Sequence, residues 1–402
     1  MPDVAVFAAL AFAAMTDAAN ASLGEDVWKG LGKPETTGVH EVEIAQLGDG
    51  RIVVPHCNGR GRITVDGIER DAGSKGPLAV ELDGKRVHDL RIEVNVSSYE
   101  KRIACAPWRS ADTARLLRFT SPHAPKPFAG EAVLVVPRGH DAKKPSALLV
   151  GVHPWNGTPW TYAAYRELIE EAAKADVVLV MPSGLGNSLY VADAEDEVMR
   201  AIDATKTEVA VDPERISIWG ASMGGAGATT IAFHRPDRFA SVASYFGDAK
   251  YDLGTYVRTI LGGEEGAHRV NALDVVDNAR HLPVHLIHGE DDKTSPIAQS
   301  VMLYDAMKER GYDVTFDRVP GMGHEGPLVV KFIREVVDRA SSAHAPKRPY
   351  RVTYRSVRPG DTEAYGVHIV RAAPNRDAFI DIEGFGRKVI AKEGVASFTV
   401  DP

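Results

Sequence analysis

The chain has 402 residues, 44% of them hydrophobic and 25% charged, with a formal net charge of -8. These values fit a globular protein of two or three domains, and the negative balance argues against a nucleic-acid surface. Its 2 cysteines, Cys57 and Cys105, exclude a disulfide framework and cannot by themselves form a structural zinc site. A single bridge between them and two buried thiols are the alternatives.

At the N-terminus, Val4–Met15 is apolar but too short to span a bilayer. With the small residues around Ala18 it resembles a secretory signal, although Pro2 and Asp3 stand where basic residues belong. Residues 1–28 are therefore read as a signal, implying a secreted or periplasmic protein, with an N-terminal helix of a cytoplasmic one as the alternative. No other stretch could cross a membrane.

Residues 29–119 read as a β-sandwich-like domain. Short apolar runs (Val39–Ile44, Gly61–Val65, Leu78–Leu82, Leu90–Val96) are separated by the turn signals Gly48-Asp49-Gly50, Asp66-Gly67 and Asp83-Gly84. It shows no convincing aromatic platform for carbohydrate, so a structural role is expected. Residues 120–128, rich in proline, read as a linker.

From residue 129 to 344 strands and helices alternate. Ala132–Pro137, Ala147–His153, Val177–Pro182, Ile216–Trp219, Val242–Phe246, Val284–His288 and Val314–Val319 are strands. Tyr162–Lys174, Glu195–Val209, Gly225–His234, Pro296–Arg310 and Pro327–Arg339 are helices. Continuous apolar strands between helices predict a doubly wound, mostly parallel α/β sheet, with its site at the carboxyl ends of the strands. Residues 345–402 form a small C-terminal β module, too short for a secure core of its own and expected to pack on the catalytic domain.

Gly220-Ala221-Ser222-Met223-Gly224 fits G-x-S-x-G between a strand and a helix. That context forces the serine into an unfavourable backbone conformation and exposes its hydroxyl at a helix N-terminus. A serine hydroxyl needs a base, and the base needs a partner to orient it. The strand ending His288-Gly289-Glu290-Asp291-Asp292 supplies a carboxylate 70 residues after Ser222. The loop Pro320-Gly321-Met322-Gly323-His324 supplies an imidazole 32 residues further on. His153 and His288 end strands beside this region and are read as supporting residues, and His234 as structural. Asp248 is a minor candidate acid. The acids from Asp193 to Glu197 read as a helix start rather than a metal site. No HExxH, CxxC pair or phosphate loop occurs, so neither metal nor cofactor is implied.

Residues 129–340 resemble the α/β-hydrolase superfamily, particularly its bacterial esterase and prolyl-oligopeptidase-like branches. That family carries G-x-S-x-G, H-G-x-x-D-x-x-x-P and G-x-G-H in this order. The resemblance implies Ser222 as nucleophile, Asp292 as acid, with Asp291 the alternative, and His324 as base. It implies an oxyanion hole from the amide of Met223 and one from His153-Pro154-Trp155-Asn156-Gly157. There Pro154 replaces the family's glycine and lacks an N–H, leaving Trp155 as donor and Asn156 second. Trp155, Trp160 and Asn156 would wall the pocket, and a segment with Tyr251, Tyr256 and Leu261 would roof it. The expectation is a serine esterase cleaving small-molecule or polymer-linked carboxylic esters through an acyl-enzyme. A serine peptidase is the first alternative and a non-catalytic carbohydrate-binding scaffold the second.

Overall fold

The computed structural model describes residues 38–54, 63–71, 78–96, 108–110, 114–122, 130–137, 139–159, 161–163, 165–251, 257 and 261–402. The expectations for residues 1–28, Cys57, Cys105, Trp160, Tyr256 and most of the linker lie outside them.

The N-terminal strands form one five-stranded antiparallel sheet in the order β3-β2-β4-β1-β5. Its members are β1 (Gly38–Val54), β2 (Ile63–Val65), β3 (Ile68–Asp71), β4 (Leu78–Val96) and β5 (Trp108–Ser110). Of the three expected turns only Asp66-Gly67 turns the chain. Its φ values of 53° and 77° suit a two-residue hairpin loop. Gly48-Asp49-Gly50 and Asp83-Gly84 lie inside β1 and β4, facing each other where the register shifts between Leu47 and Asp49. Turn-prone residues are accommodated there as a bulge, because pairing continues on both sides.

The central sheet has eight strands in the order β13-β12-β11-β10-β8-β9-β7-β6. These are β6 (Ala114–Phe119), β7 (Gly130–Val135), β8 (Ser146–Val152), β9 (Val177–Pro182), β10 (Val211–Ala221), β11 (Ser241–Tyr245), β12 (Val284–Gly289) and β13 (Val314–Val319). β7 runs antiparallel to β6 and β9, and the remaining pairs are parallel. Every residue of β8, β9 and β12 is buried, as their unbroken apolar runs predict, whereas the edge strand β13 is only partly covered.

The longer helices are α1 (Arg166–Ala175), α2 (Asp193–Glu208), α3 (Met223–His234), α4 (Ala298–Glu309) and α5 (Gly326–Ser342). They cover both faces. Leu148, Val150 and Val152 of β8 pack with Val198 and Ile202 of α2, Ile231 of α3 and Leu303 of α4. Ala147 and Leu149 point the other way, toward Leu168 of α1 and Ile333 of α5. This period of two along a strand is the pleat itself. α3 is buried on all sides, so its small residues (Gly224, Gly225, Ala226, Gly227, Ala228) let it press against the sheet.

The C-terminal residues form two three-stranded sheets, β14-β17-β18 and β15-β16-β19. Their strands are β14 (Arg351–Ser356), β15 (Glu363–Ala364), β16 (Val367–Arg371), β17 (Ala378–Glu383), β18 (Lys388–Glu393) and β19 (Val395–Val400). They share a small core around Tyr354, Ile369 and Ile380. The module also docks on the α/β domain: Tyr365 Oη donates to the Pro236 carbonyl at 2.8 Å, and Arg355 Nε to Asp277 at 2.6 Å.

Candidate active site

β10 brings the nucleophile motif to the carboxyl edge of the sheet. Tyr162 fastens that edge: it accepts the Ala221 N–H at 2.8 Å and donates to the Val152 carbonyl at 3.1 Å. Ser222 caps α3 with φ 56° and ψ -121°, a conformation costing about 1–3 kcal/mol for a non-glycine residue. The surroundings hold it there. Its N–H donates to Tyr245 O at 2.9 Å, and its carbonyl accepts from the Ala226 N–H at 3.0 Å. A Cβ on Gly220 would lie 2.5 Å from the Val152 carbonyl oxygen, and one on Gly224 closer still. Both glycines are therefore required by the approach of strand and helix. Met223 is the first residue of α3, where an amide N–H has no partner within the helix and forms part of the positive end of the dipole.

Asp292 and His324 come together from the loops after β12 and β13. The His324 Nδ1–H donates to Asp292 Oδ2 at 2.7 Å. The other carboxylate oxygen accepts the amides of Thr294 at 2.8 Å and Ser295 at 2.9 Å. The Asp292 side chain is 0% exposed and that of His324 19%. Asp291, the alternative acid, is exposed. The choice between adjacent carboxylates thus favours Asp292, which has both the burial and the imidazole. Phe246, with φ 38°, packs its ring 4.4 Å from that of His324 and limits where the imidazole can swing.

His288 lies beneath this pair. Its Nε2–H faces Ser295 O at 2.9 Å and Asp292 Oδ2 at 3.3 Å, and its Nδ1 accepts from Ser300 Oγ at 2.8 Å. Burial pushes its pKa down, more than the Ser295 carbonyl and Asp292 raise it. It is a neutral donor supporting the carboxylate.

The loop after β8 carries the second group of expected residues. His153 is buried with its two ring nitrogens 2.9 Å from the carbonyls of Pro154 and Ser183, and burial lowers its pKa. A neutral ring can satisfy only one of them. Trp155 is 37% exposed at the surface of this loop. Asn156, at φ 60°, donates its N–H to Asn187 Oδ1 at 2.6 Å and accepts Asn187 Nδ2–H at 2.8 Å. Its amide is therefore engaged with Asn187.

Sequence reasoning passed over the loop after β9. Leu185, Leu189, Tyr190 and Ala192 all have positive φ, and Ala192 (φ 51°, ψ -117°) repeats the backbone of Ser222 at the start of α2. Tyr190 Oη donates to the His153 carbonyl at 3.2 Å, and Tyr251 Oη to that of Leu189 at 3.2 Å. Strain of this density accompanies functional loops. Its only sequence signal was the glycine pair at 184 and 186. The acids Asp193, Glu195 and Asp196 occupy the first turn of α2. Glu195 bonds to Arg235 at 2.6 Å and to Arg358 at 2.7 Å.

A cavity of about 390 Å³ lies elsewhere, lined by residues including Glu214, Ile216, Arg238, Lys347 and Tyr365. Ile216 precedes Ser222 by six strand residues, roughly 20 Å along β10, so this cavity does not serve the serine.

Residues 188–339 match the prolyl oligopeptidase family. In sequence the chain is similar to a probable feruloyl esterase C of Aspergillus oryzae, 24% identical over 211 residues, 50% of this chain and 70% of that protein. It is also similar to an uncharacterized peptidase, YuxL, of Bacillus subtilis. That match is 26% identical over 143 residues, 32% of this chain but only 22% of the peptidase. Among solved structures, an S-formylglutathione hydrolase of Agrobacterium tumefaciens superposes with a TM-score of 0.51 at 18% identity. It covers 57% of this chain and 94% of that one. With the strand order of the central sheet, the structural likeness defines an α/β-hydrolase fold.

Proposed function

We propose that the protein is a serine hydrolase that cleaves carboxylic esters through an acyl-enzyme. Ser222 Oγ attacks the acyl carbonyl while His324 takes its proton. The amides of Met223 and Trp155 bind the developing oxyanion, each worth about 2.7–4 kcal/mol in the transition state. The alcohol leaves with the proton returned by His324. Water, deprotonated by the same imidazole, then releases the acid. Asp292 keeps His324 in the tautomer whose Nε2 can accept, and stabilises its cation.

The observation that carries this reading is the bond of His324 to the buried Asp292 at 2.7 Å, on the same sheet edge as a strained helix-capping serine. Ser222→Ala should abolish turnover of p-nitrophenyl acyl esters and labelling by a fluorophosphonate probe. Turnover persisting in that variant would remove the mechanism. Feruloyl and short acyl esters are the first substrates to test, given the feruloyl esterase among the similar proteins.

The match of residues 188–339 to the prolyl oligopeptidase family favours a second reading, peptide-bond hydrolysis at the same serine. Comparing kcat/KM for matched ester and peptide amide substrates separates the two.

A further inference from the structure

Asp248 is a carboxylate that the proposed triad does not use. It follows β11, half-buried, on the same edge of the sheet as Ser222. Ser295 Oγ donates to its Oδ1 at 2.5 Å. The same Ser295 gives its amide to Asp292 Oδ1 at 2.9 Å and its carbonyl to His288 at 2.9 Å. One residue thus ties two carboxylates into a single hydrogen-bonded unit, and one of those carboxylates holds His324. A half-buried carboxylate held by a hydroxyl rather than a cation gains from a positive charge that appears nearby. The charge that appears in this site is the imidazolium of His324.

We infer that Asp248 is a second carboxylate for His324, a positioning residue that steadies Asp292 through Ser295 and adds its own charge to stabilise the imidazolium. This rests on the serine-hydrolase reading proposed above. Burial raises the Asp248 carboxyl, the Ser295 hydroxyl and His324 lower it, and Asp292 raises it, leaving it pushed up to about 6. The other charged or titratable groups around it are His288 behind Asp292, and Lys250 and Tyr251 on its own turn. Above pH 6 the added charge is present. As the pH falls through 6 Asp248 takes up a proton and the support is lost.

The test is the pH profile of kcat/KM on a p-nitrophenyl ester for the full chain, Asp248→Asn and Asp248→Glu. The parent should show an acid limb steeper than one proton. In Asp248→Asn that limb should become single-proton and move to lower pH, because His324 has lost an attractive charge. kcat should fall about tenfold with KM unchanged, and Asp248→Glu should restore much of it. Combined with Asp292→Asn, the Asp248→Asn change should lower the residual rate further. Should Asp248→Asn not fold, Ser295→Ala serves: without its donor Asp248 titrates higher, and the acid limb should move up. An acid limb unmoved in these variants overturns the inference, even if kcat drops. Turnover surviving Ser222→Ala would take down the underlying reading as well, whereas turnover lost with Ser222→Ala but indifferent to Asp248 takes down this inference alone.

Discussion

α3 carries a histidine–carboxylate pair at its far end, where His234 is its last residue, as well as the serine at its start. His234 Nδ1 lies 2.6 Å from Asp361, almost the 2.7 Å of His324 from Asp292. The neighbourhoods differ. The His234 side chain is 0% exposed, and its Nε2 is buried with no hydrogen-bond partner among the described residues. Arg358 stands 3.1 Å from Asp361 and 2.7 Å from Glu195, tying the pair into the C-terminal module. His324 keeps part of its ring in the open at the sheet edge. An imidazole beside a carboxylate becomes a base only where its second nitrogen reaches space that a nucleophile and substrate can share. Elsewhere the same pair is a strut.

Mutating the two pairs should break the comparison cleanly. His324→Ala should lower ester turnover by about 10⁴-fold or more and leave the melting temperature near that of the parent. Asp292→Asn should cost about 10³–10⁴-fold in kcat, with binding of substrate little changed, because the imidazole loses the tautomer it needs. Asp361→Asn should do the reverse. Urea unfolding should show a loss of about 2–4 kcal/mol, because Arg358 loses a mostly buried partner, while kcat stays within about twofold.

pH sharpens the contrast. Burial, then the Arg358 charge, hold the His234 pKa below its usual value, so the unfolded chain binds this proton more readily than the fold does. Stability should therefore fall as the pH drops below about 6.5, and His234→Gln should flatten that fall in melting temperatures measured at pH 5 and 7. Asp361 acts in the same direction lower down. Against the opposing effect of burial, bonds to His234 and the Arg358 charge lower its carboxyl, so its contribution is present above the unfolded value and lost as pH falls through the folded one. His268 has the opposite sign. It sits 3.1 Å from Asp274 and 3.0 Å from Asp377, and despite desolvation these carboxylates raise its pKa. Its contribution is complete below about 6.5 and is lost as pH rises through the raised value. The ring is 41% exposed, so His268→Gln should produce only a small change, lowering the melting temperature at pH 6 more than at pH 8.

Much of the α/β domain was legible because parallel strands buried on both faces leave unbroken apolar runs, as in Val177–Pro182 and Val284–Gly289. The helix expected from Tyr162 begins only at Arg166, and Tyr162 instead fastens β8 to β10. In the N-terminal sheet Asp83-Gly84 carried a turn signal, yet it forms a bulge inside β4, with pairing to β1 continuing on both sides. Local turn preference is worth less than a ladder of hydrogen bonds continuing on either side.

The chain alone determined the order serine, carboxylate, imidazole and the glycines that let the serine stand at a tight strand-to-helix turn, since backbone crowding dictates residue type locally. The motif already favoured Asp292 over Asp291, and tertiary structure decided that it is buried against His324. It also decided that Ser295 joins Asp248 to that site, and that His234 is sealed. Those outcomes depend on which loops a twisted sheet brings to one edge, and on how much water remains there.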